Sequence, residues 1–407
     1  MKLRFPKNLI DGSWSVLATL SDRAAFFVAF VLLARSSPLQ TNGAIVSAFA
    51  FCMMLSLLFD FGFPAYLQRE AAARPQSIEY EAGVVLFIKA VQVLPFAAIA
   101  VFYGAGDDLP PIDLAVIVLA TFCFSIATAL TGILWGLAAY RKAALVVGVS
   151  RLVLLTSAPL HLITTNPGLN TLSPVLASSL LQLLLVRLYS PVRFRLVVPT
   201  RQFLRSMARS SLPIGVGLFF VSVYDRVDVL LIRYYLGLSF VSYYAAAYAL
   251  YRIPSVIDSF LLVPSFSSLS AEYAQSGSLA IQRWKQLGTA MLSLSVVGTI
   301  GYYLLADWLC TLVYGSKFET SASALKILGF ALPGLLLNRF VGVTLNAVRR
   351  ELFPTAATFA GIVSNIAANV LLLSTIGFVG AAWATIVAEY TVLLLGAALL
   401  ARTRVLR

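Results

Sequence analysis

Arg23, Lys89, Arg151, Arg226, Arg252, Lys326 and Arg339 stand inside long apolar stretches, and so do Asp22, Asp60, Asp225, Asp228, Asp258 and Glu389. The bases outnumber the acids. The chemistry such a set offers best is noncovalent capture of an anion, because guanidinium forks meet phosphate or carboxylate oxygens in pairs. Arg23, Lys89, Arg151, Arg226, Arg252 and Arg339 are therefore the candidate substrate-binding cations. A carboxylate removed from water can also take up a proton or a small cation, which makes Asp60, Asp225, Asp228, Asp258 and Glu389 the ion-coupling candidates. Asp225 and Asp228 are three residues apart and share a helix face, whereas Arg226 points elsewhere. The plainer reading is that each acid pairs with an arginine on a neighbouring helix and only locks the bundle. That reading does not account for the surplus of bases.

Bond-making chemistry is poorly provided for. His161 is the one histidine, and Cys52, Cys123 and Cys310 are widely spaced within apolar runs, so neither a disulfide framework nor metal-ligand spacing is present. No catalytic residue, no metal and no cofactor is expected.

The elements holding these charges follow from composition. Sixty per cent of the chain is apolar and 12% charged, against roughly 45–50% and about 25% in soluble domains, so the bilayer must be the solvent for most of the surface. A hydrocarbon core of about 30 Å takes roughly 20 helical residues to cross. Runs of that length recur from Trp14 to Leu400 and predict about twelve transmembrane helices, an all-α polytopic membrane protein with kinks at Pro95, Pro159, Pro213, Pro254 and Pro333. A charge at the middle of such a helix costs at least about 2.5–3.5 kcal/mol on insertion scales. The cations left over after pairing are therefore expected to line a water-filled cavity, while Lys326 and Arg233, near helix ends, can snorkel to headgroups.

Loop charges give the topology. Lys2, Arg4 and Lys7, then Arg69 and Arg74, Arg141 and Lys142, Arg193, Arg195, Arg201 and Arg205, Arg283 and Lys285, Arg349 and Arg350, and finally Arg402, Arg404 and Arg407 fall on one side. The other side receives little beyond Arg35, Lys317 and the acidic loop with Asp107, Asp108 and Asp113. By the positive-inside rule both termini are cytoplasmic. The net charge of +13 is thus partly a topology signal, and nucleic acid is not an expected partner.

The expected organisation is an N-terminal six-helix bundle over 1–190, a basic cytoplasmic linker over 191–210 and a C-terminal six-helix bundle over 211–407. Asp22-Arg23 has a counterpart in Asp225-Arg226, and Pro64 in Pro264, a repeat of about 200 residues such as alternating-access transporters use. Tyrosines crowd the second half at Tyr234, Tyr235, Tyr243, Tyr244, Tyr248, Tyr251, Tyr302 and Tyr303, where an interfacial aromatic belt and a sugar-stacking surface are both open readings.

Segment 57–74, Leu-Leu-Phe-Asp-Phe-Gly-Phe-Pro-Ala-Tyr-Leu-Gln-Arg-Glu-Ala-Ala-Ala-Arg, resembles the end of the second helix in polysaccharide flippases of the Wzx type (O-antigen and exopolysaccharide flippases). Tyr224-Asp225-Arg226-Val227-Asp228, Gly237, Tyr243 to Tyr248, Pro264 with Ser267 and Ser268, and Tyr314-Gly315-Ser316-Lys317-Phe318 are similar to that family in the same order. The resemblance implies a member of the multidrug, oligosaccharidyl-lipid and polysaccharide exporter superfamily: two six-helix bundles, MATE-like, around a cationic vestibule. It implies a non-enzymatic carrier of undecaprenyl-diphosphate-linked repeat units, working by alternating access from the cytoplasmic to the periplasmic leaflet of the inner membrane. Membrane lipids, and polysaccharide polymerase and chain-length machinery, are the further partners it implies. The chain departs from the fourteen-helix relatives in stopping at about twelve.

Two rivals remain open. A cation-coupled multidrug exporter would want an acidic or neutral cavity, and a membrane-embedded polymerase or glycosyltransferase would want carboxylates or histidines gathered on a sizeable external loop.

Overall fold

The computed structural model describes residues 7–106, 109–163, 166–350, 352–403 and 405–406; the side chains of 7–12, 162–163, 257–260, 263–264 and 267 lie outside that description. Among the described residues the chain is helical almost throughout, with one isolated β-bridge between Leu279 and Leu406. It divides into two compact units, Met1–Ser222 and Val223–Arg407. The boundary falls inside a helix, so the basic segment 191–210 belongs to the first unit.

The first unit holds α1 (Lys7–Ser36), α2 (Leu39–Asp60), α3 (Phe63–Ala73), α4 (Ile78–Gly104), α5 (Pro111–Gly136), α6 (Tyr140–Leu152), α7 (Ser157–Ile163), α8 (Pro167–Tyr189) and the start of α9 (Arg201–Leu236). In the second unit α9 is followed by α10 (Leu238–Tyr251), α11 (Ile257–Ser276), α12 (Ile281–Tyr314), α13 (Ser321–Gly329), α14 (Leu332–Ala347), α15 (Leu352–Ile376) and α16 (Val379–Thr403). Nine described helices are long and apolar enough to cross a membrane, and the α13–α14 pair, bent by 47°, makes a tenth. The 36-residue α9 helix and the α10–α11 pair are the remaining long helical stretches, and with them the number is in line with about twelve spans.

Several spans are broken, and for local reasons. A 3-10 turn over Val153–Thr156 joins α6 to α7, and another over Ile253–Val256, carrying Pro254, joins α10 to α11. Proline removes an amide donor and clashes with the preceding turn, so the helix tightens or bends there. Between α2 and α3 the chain turns through Phe61 at φ 48 and Gly62 at φ 77 before Pro64 starts the next helix. Glycine is required at position 62 for a second reason: a Cβ there would lie 2.6 Å from the Ser211 carbonyl oxygen and 2.7 Å from the Gly215 amide nitrogen on α9. The α2–α3 elbow rests backbone to backbone on α9.

At one end of the first unit, Phe63, Tyr66, Leu67, Ile78, Ala82, Leu134, Ala143, Val186 and Met207 form one buried cluster. It gathers the α3–α4 and α5–α6 connections and the end of α8, and those carry Arg69, Arg74, Arg141, Lys142 and Arg187. The sorting of charge by loop is thus a sorting by end of the bundle.

Candidate substrate and ion sites

In the first unit, two of the expected substrate cations are sealed. Lys89 of α4 is 1% exposed, and its ammonium donates to an Asp60 carboxylate oxygen on α2 and to the Ser125 hydroxyl of α5 at 2.6 Å. Ser125 in turn donates to the same Asp60 oxygen at 2.5 Å. The rings of Phe63 and Phe122 lie 5.9 and 5.8 Å from the ammonium. Three helices are cross-linked by one lysine.

Arg151 of α6 is 2% exposed and equally committed. Its Nε donates to Asp22 of α1 at 2.6 Å, and its terminal nitrogens donate to Ser178 and to the Gln182 side-chain oxygen of α8, each at 2.9 Å. Gln182 passes the chain on to Thr131 of α5 at 3.0 Å. Phe26 and Phe124 cover the guanidinium at 5.5 and 5.0 Å. Both Lys89 and Arg151 were expected as charges offered to a ligand. The structure corrects that placement, because a desolvated cation with a full set of partners has no free face to present.

The remaining cations are differently placed. Arg23 on α1 and Arg339 on α14 are exposed, and Arg226 on α9 is half-buried. Arg252, at the end of α10, faces Asp225 of α9 as a fork, with nitrogen–oxygen distances of 3.2 and 3.4 Å. That pair stays partly open, at 22% and 28% side-chain exposure. Lys326, set aside as a headgroup contact, pairs with Asp307 at 2.6 Å.

The acids divide as sharply. Asp60 is spent on Lys89. Asp228 is buried and meets only neutral donors: Tyr244 of α10 at 2.5 Å, Asn369 of α15 at 2.8 Å and Thr385 of α16 at 3.2 Å. Among the described residues no basic side chain lies within ion-pair distance of it. Asn365, one turn before Asn369, supports that amide through its own side-chain oxygen at 3.1 Å. Glu389 of α16 is buried and accepts from the Asn338 amide at 2.6 Å. The side chain of Asp258 lies outside the described residues.

The tyrosines also separate. Tyr244 and Tyr248 stack along α10 with ring centroids 5.7 Å apart and Tyr251 follows tilted at 5.6 Å, while Tyr234 and Tyr303 face outward. Tyr302 donates to the Leu250 carbonyl at 2.6 Å.

Charge reasoning missed the neutral partners Ser125, Thr131, Ser178, Gln182, Asn338, Asn365, Asn369 and Thr385. A signal for one group was there: Asn365 and Asn369 are four apart inside an apolar run, the spacing of a shared helix face.

One arrangement recurs. Asp22 holds Arg151, and Asp225 holds Arg252; each arginine is followed within two residues by a 3-10 break.

Two helical units with broken spans and buried charge knots define a multi-pass membrane protein with the fold of the MOP-superfamily transporters. The structure is similar to "Lipid II flippase MurJ, inward closed conformation", with a TM-score of 0.75 at 15% identity over 95% of this chain and 87% of that one. Two structures of a multidrug resistance MATE family transporter of the MOP superfamily also match. The inward-facing form gives 0.69 at 13% identity over 96% and 99%, and the outward-facing form 0.66 at 13% over 98% and 95%. The chain belongs to the polysaccharide biosynthesis protein family, whose model matches residues 9–270. No curated protein matches it in sequence.

Proposed function

We propose that this protein is a flippase for undecaprenyl-diphosphate-linked oligosaccharide repeat units, moving them from the cytoplasmic to the periplasmic leaflet of the inner membrane for polysaccharide (O-antigen or exopolysaccharide) biosynthesis. Both termini are cytoplasmic in this reading. The carrying observation is the contrast among the cations: Arg23 and Arg339 are exposed and Arg226 and Arg252 half-buried in mid-span, while Lys89 and Arg151 are sealed. A guanidinium exposed at bilayer depth cannot face hydrocarbon cheaply, so it must meet water or an anion. Diphosphate oxygens suit such forks, and the lipid tail stays in the bilayer.

The chain's own residues supply the rest of the cycle. Alternating access needs two arrangements of the helices, and the fold is known in inward- and outward-facing forms in the MATE transporter it resembles. A coupling ion has its best-provided place at Asp228, where Thr385, Asn365 and Asn369 bring neutral oxygens beside a carboxylate that lacks a cation. Glu389 and Asp225 are secondary candidates, and Asp60 is excluded by its bond to Lys89.

The deciding experiment measures accessibility of a lipid-linked oligosaccharide across reconstituted vesicles for R226A and R252A, with membrane insertion verified. Loss of flipping in both, at normal insertion, is expected. Full activity in both would end the arginine-lined reading. The Asp228 cage also suits a cation-coupled multidrug exporter; in that case the same vesicles would move an organic cation and leave the lipid-linked sugar in place.

A further inference from the structure

The basic segment expected as a linker is a docked strap. From 190 to 200 the chain leaves the helical path, and the Val197 amide donates to the Gly83 carbonyl of α4 at 3.2 Å. Glycine at 83 permits the contact, since a Cβ there would stand 2.5 Å from the Arg195 carbonyl oxygen. Burial alternates from Val192 to Arg195 and slips by one residue at Leu196. Val192, Phe194 and Val197 pack on the buried cluster of that end, and Phe203, one turn into α9, meets Tyr80 edge-on at 4.9 Å.

The exposed side mixes cationic and aliphatic groups. Arg193 and Arg195 project outward from the strap, and Arg201, Arg205 and Arg209 continue the row at four-residue spacing along one face of α9. All five are exposed, and among the described residues none makes an ion pair. The acids of this end are Glu70, which is taken by Arg69 and Arg74, Glu79, and Glu81, which accepts from Ser77. Between the arginines Leu196 and Val198 stand 67% and 74% exposed. Basic groups interleaved with uncovered aliphatic ones are what a bilayer surface takes: phosphates for the first, the acyl boundary for the second.

The α9 helix fixes the depth. Its 36 residues reach about 54 Å, far more than the roughly 30 Å hydrocarbon core. The apolar run begins at Leu212, so the turns bearing Arg201, Arg205 and Arg209 stand at the headgroup level. We propose that the strap and the first turns of α9 form a binding site for anionic phospholipid headgroups on the cytoplasmic leaflet.

Native mass spectrometry of the full chain, released from nanodiscs of zwitterionic lipid doped with phosphatidylglycerol, tests this. R193Q/R195Q/R201Q/R205Q is compared with the charge-matched K285Q/R349Q/R350Q/R402Q, whose residues are also exposed. The strap variant should retain anionic lipid about fivefold less per arginine removed, and the control should match wild type. Equal retention by wild type and strap variant overturns the proposal, and so does an equal loss in the control, which would mean net charge alone. A protein partner in place of lipid would leave wild type with no preference for phosphatidylglycerol, again overturning it. Because a misfolded strap variant would also lose lipid, wild type is measured in rising NaCl: anionic lipid should fall steeply while zwitterionic retention holds, and parallel curves refute the site.

Discussion

Lys89 separates a structural cation from a substrate-binding one, because its partners are few and countable. Lys89→Met removes the charged bond to Asp60, the bond to Ser125 and the ring contacts with Phe63 and Phe122, and leaves a buried carboxylate with one hydroxyl donor. Breaking a buried pair from one side costs about 3–5 kcal/mol. The two ring contacts add about 0.5–2 kcal/mol each when desolvated. Even taking the ion pair alone, a unit of some 200 residues should lose roughly 6–20 °C of melting temperature. The companion D60N/K89M keeps an amide oxygen to accept from Ser125 and leaves no charge, and exchanging a buried pair for neutral groups is often neutral or stabilising. It should regain most of the loss and still flip substrate. Melting is read by size-exclusion chromatography of heated detergent extracts, and transport in vesicles. A stable K89M, or a double variant as unstable as the single, refutes the dry-pair reasoning. A stable but inactive double variant would restore Lys89 to the substrate path.

Three more outcomes follow from the same geometry. R151M, which strips the bonds to Asp22, Ser178 and Gln182, should lower stability by about 3–5 kcal/mol, whereas R252A, at a partly open pair, should change melting by less than about 1 kcal/mol; equal losses in thermal melts would contradict the division. Wild type should gain about 1.4 kcal/mol of stability for each tenfold rise of its coupling cation above saturation, sodium or lithium against choline being the comparison, and D228N should gain none; a response retained in D228N removes Asp228 from the ion's path. G62A should destabilise by about 2–5 kcal/mol, from the positive φ and the crowding against Ser211 and Gly215, and melting unchanged from wild type would deny the close crossing.

The span pattern was legible because hydropathy and loop charge are strong, additive signals. The positions of the charged groups in sequence were equally plain, but their allegiance was not. Nothing local distinguishes Arg151 from Arg252: both are arginines inside apolar runs, and only the fold shows one meeting Ser178 and Gln182 while the other stays partly open. The donors that decide this are serine, asparagine, threonine and glutamine, which carry little weight in a count of charges. The docking of segment 192–197 was hidden for a related reason. Alternation over Val192, Arg193, Phe194 and Arg195 is a two-residue period too short to stand out from its arginine content.

The two aspartate–arginine clamps bear on how such a helix can bend. In each unit the fastening lies immediately before the tightened turn, so the stretch carrying the arginine is bolted by a charged bond, while the stretch beyond it is held by contacts of its own, His161 of α7 on Thr171 of α8 and Leu269 of α11 in a buried cluster among them. A load applied to α7 or α11 is then taken up at the turn, as a lever pivots at its fulcrum, and leaves the anchored segment still. The place of each clamp selects where flexing occurs, and moving the arginine by one helical turn would relocate the pivot.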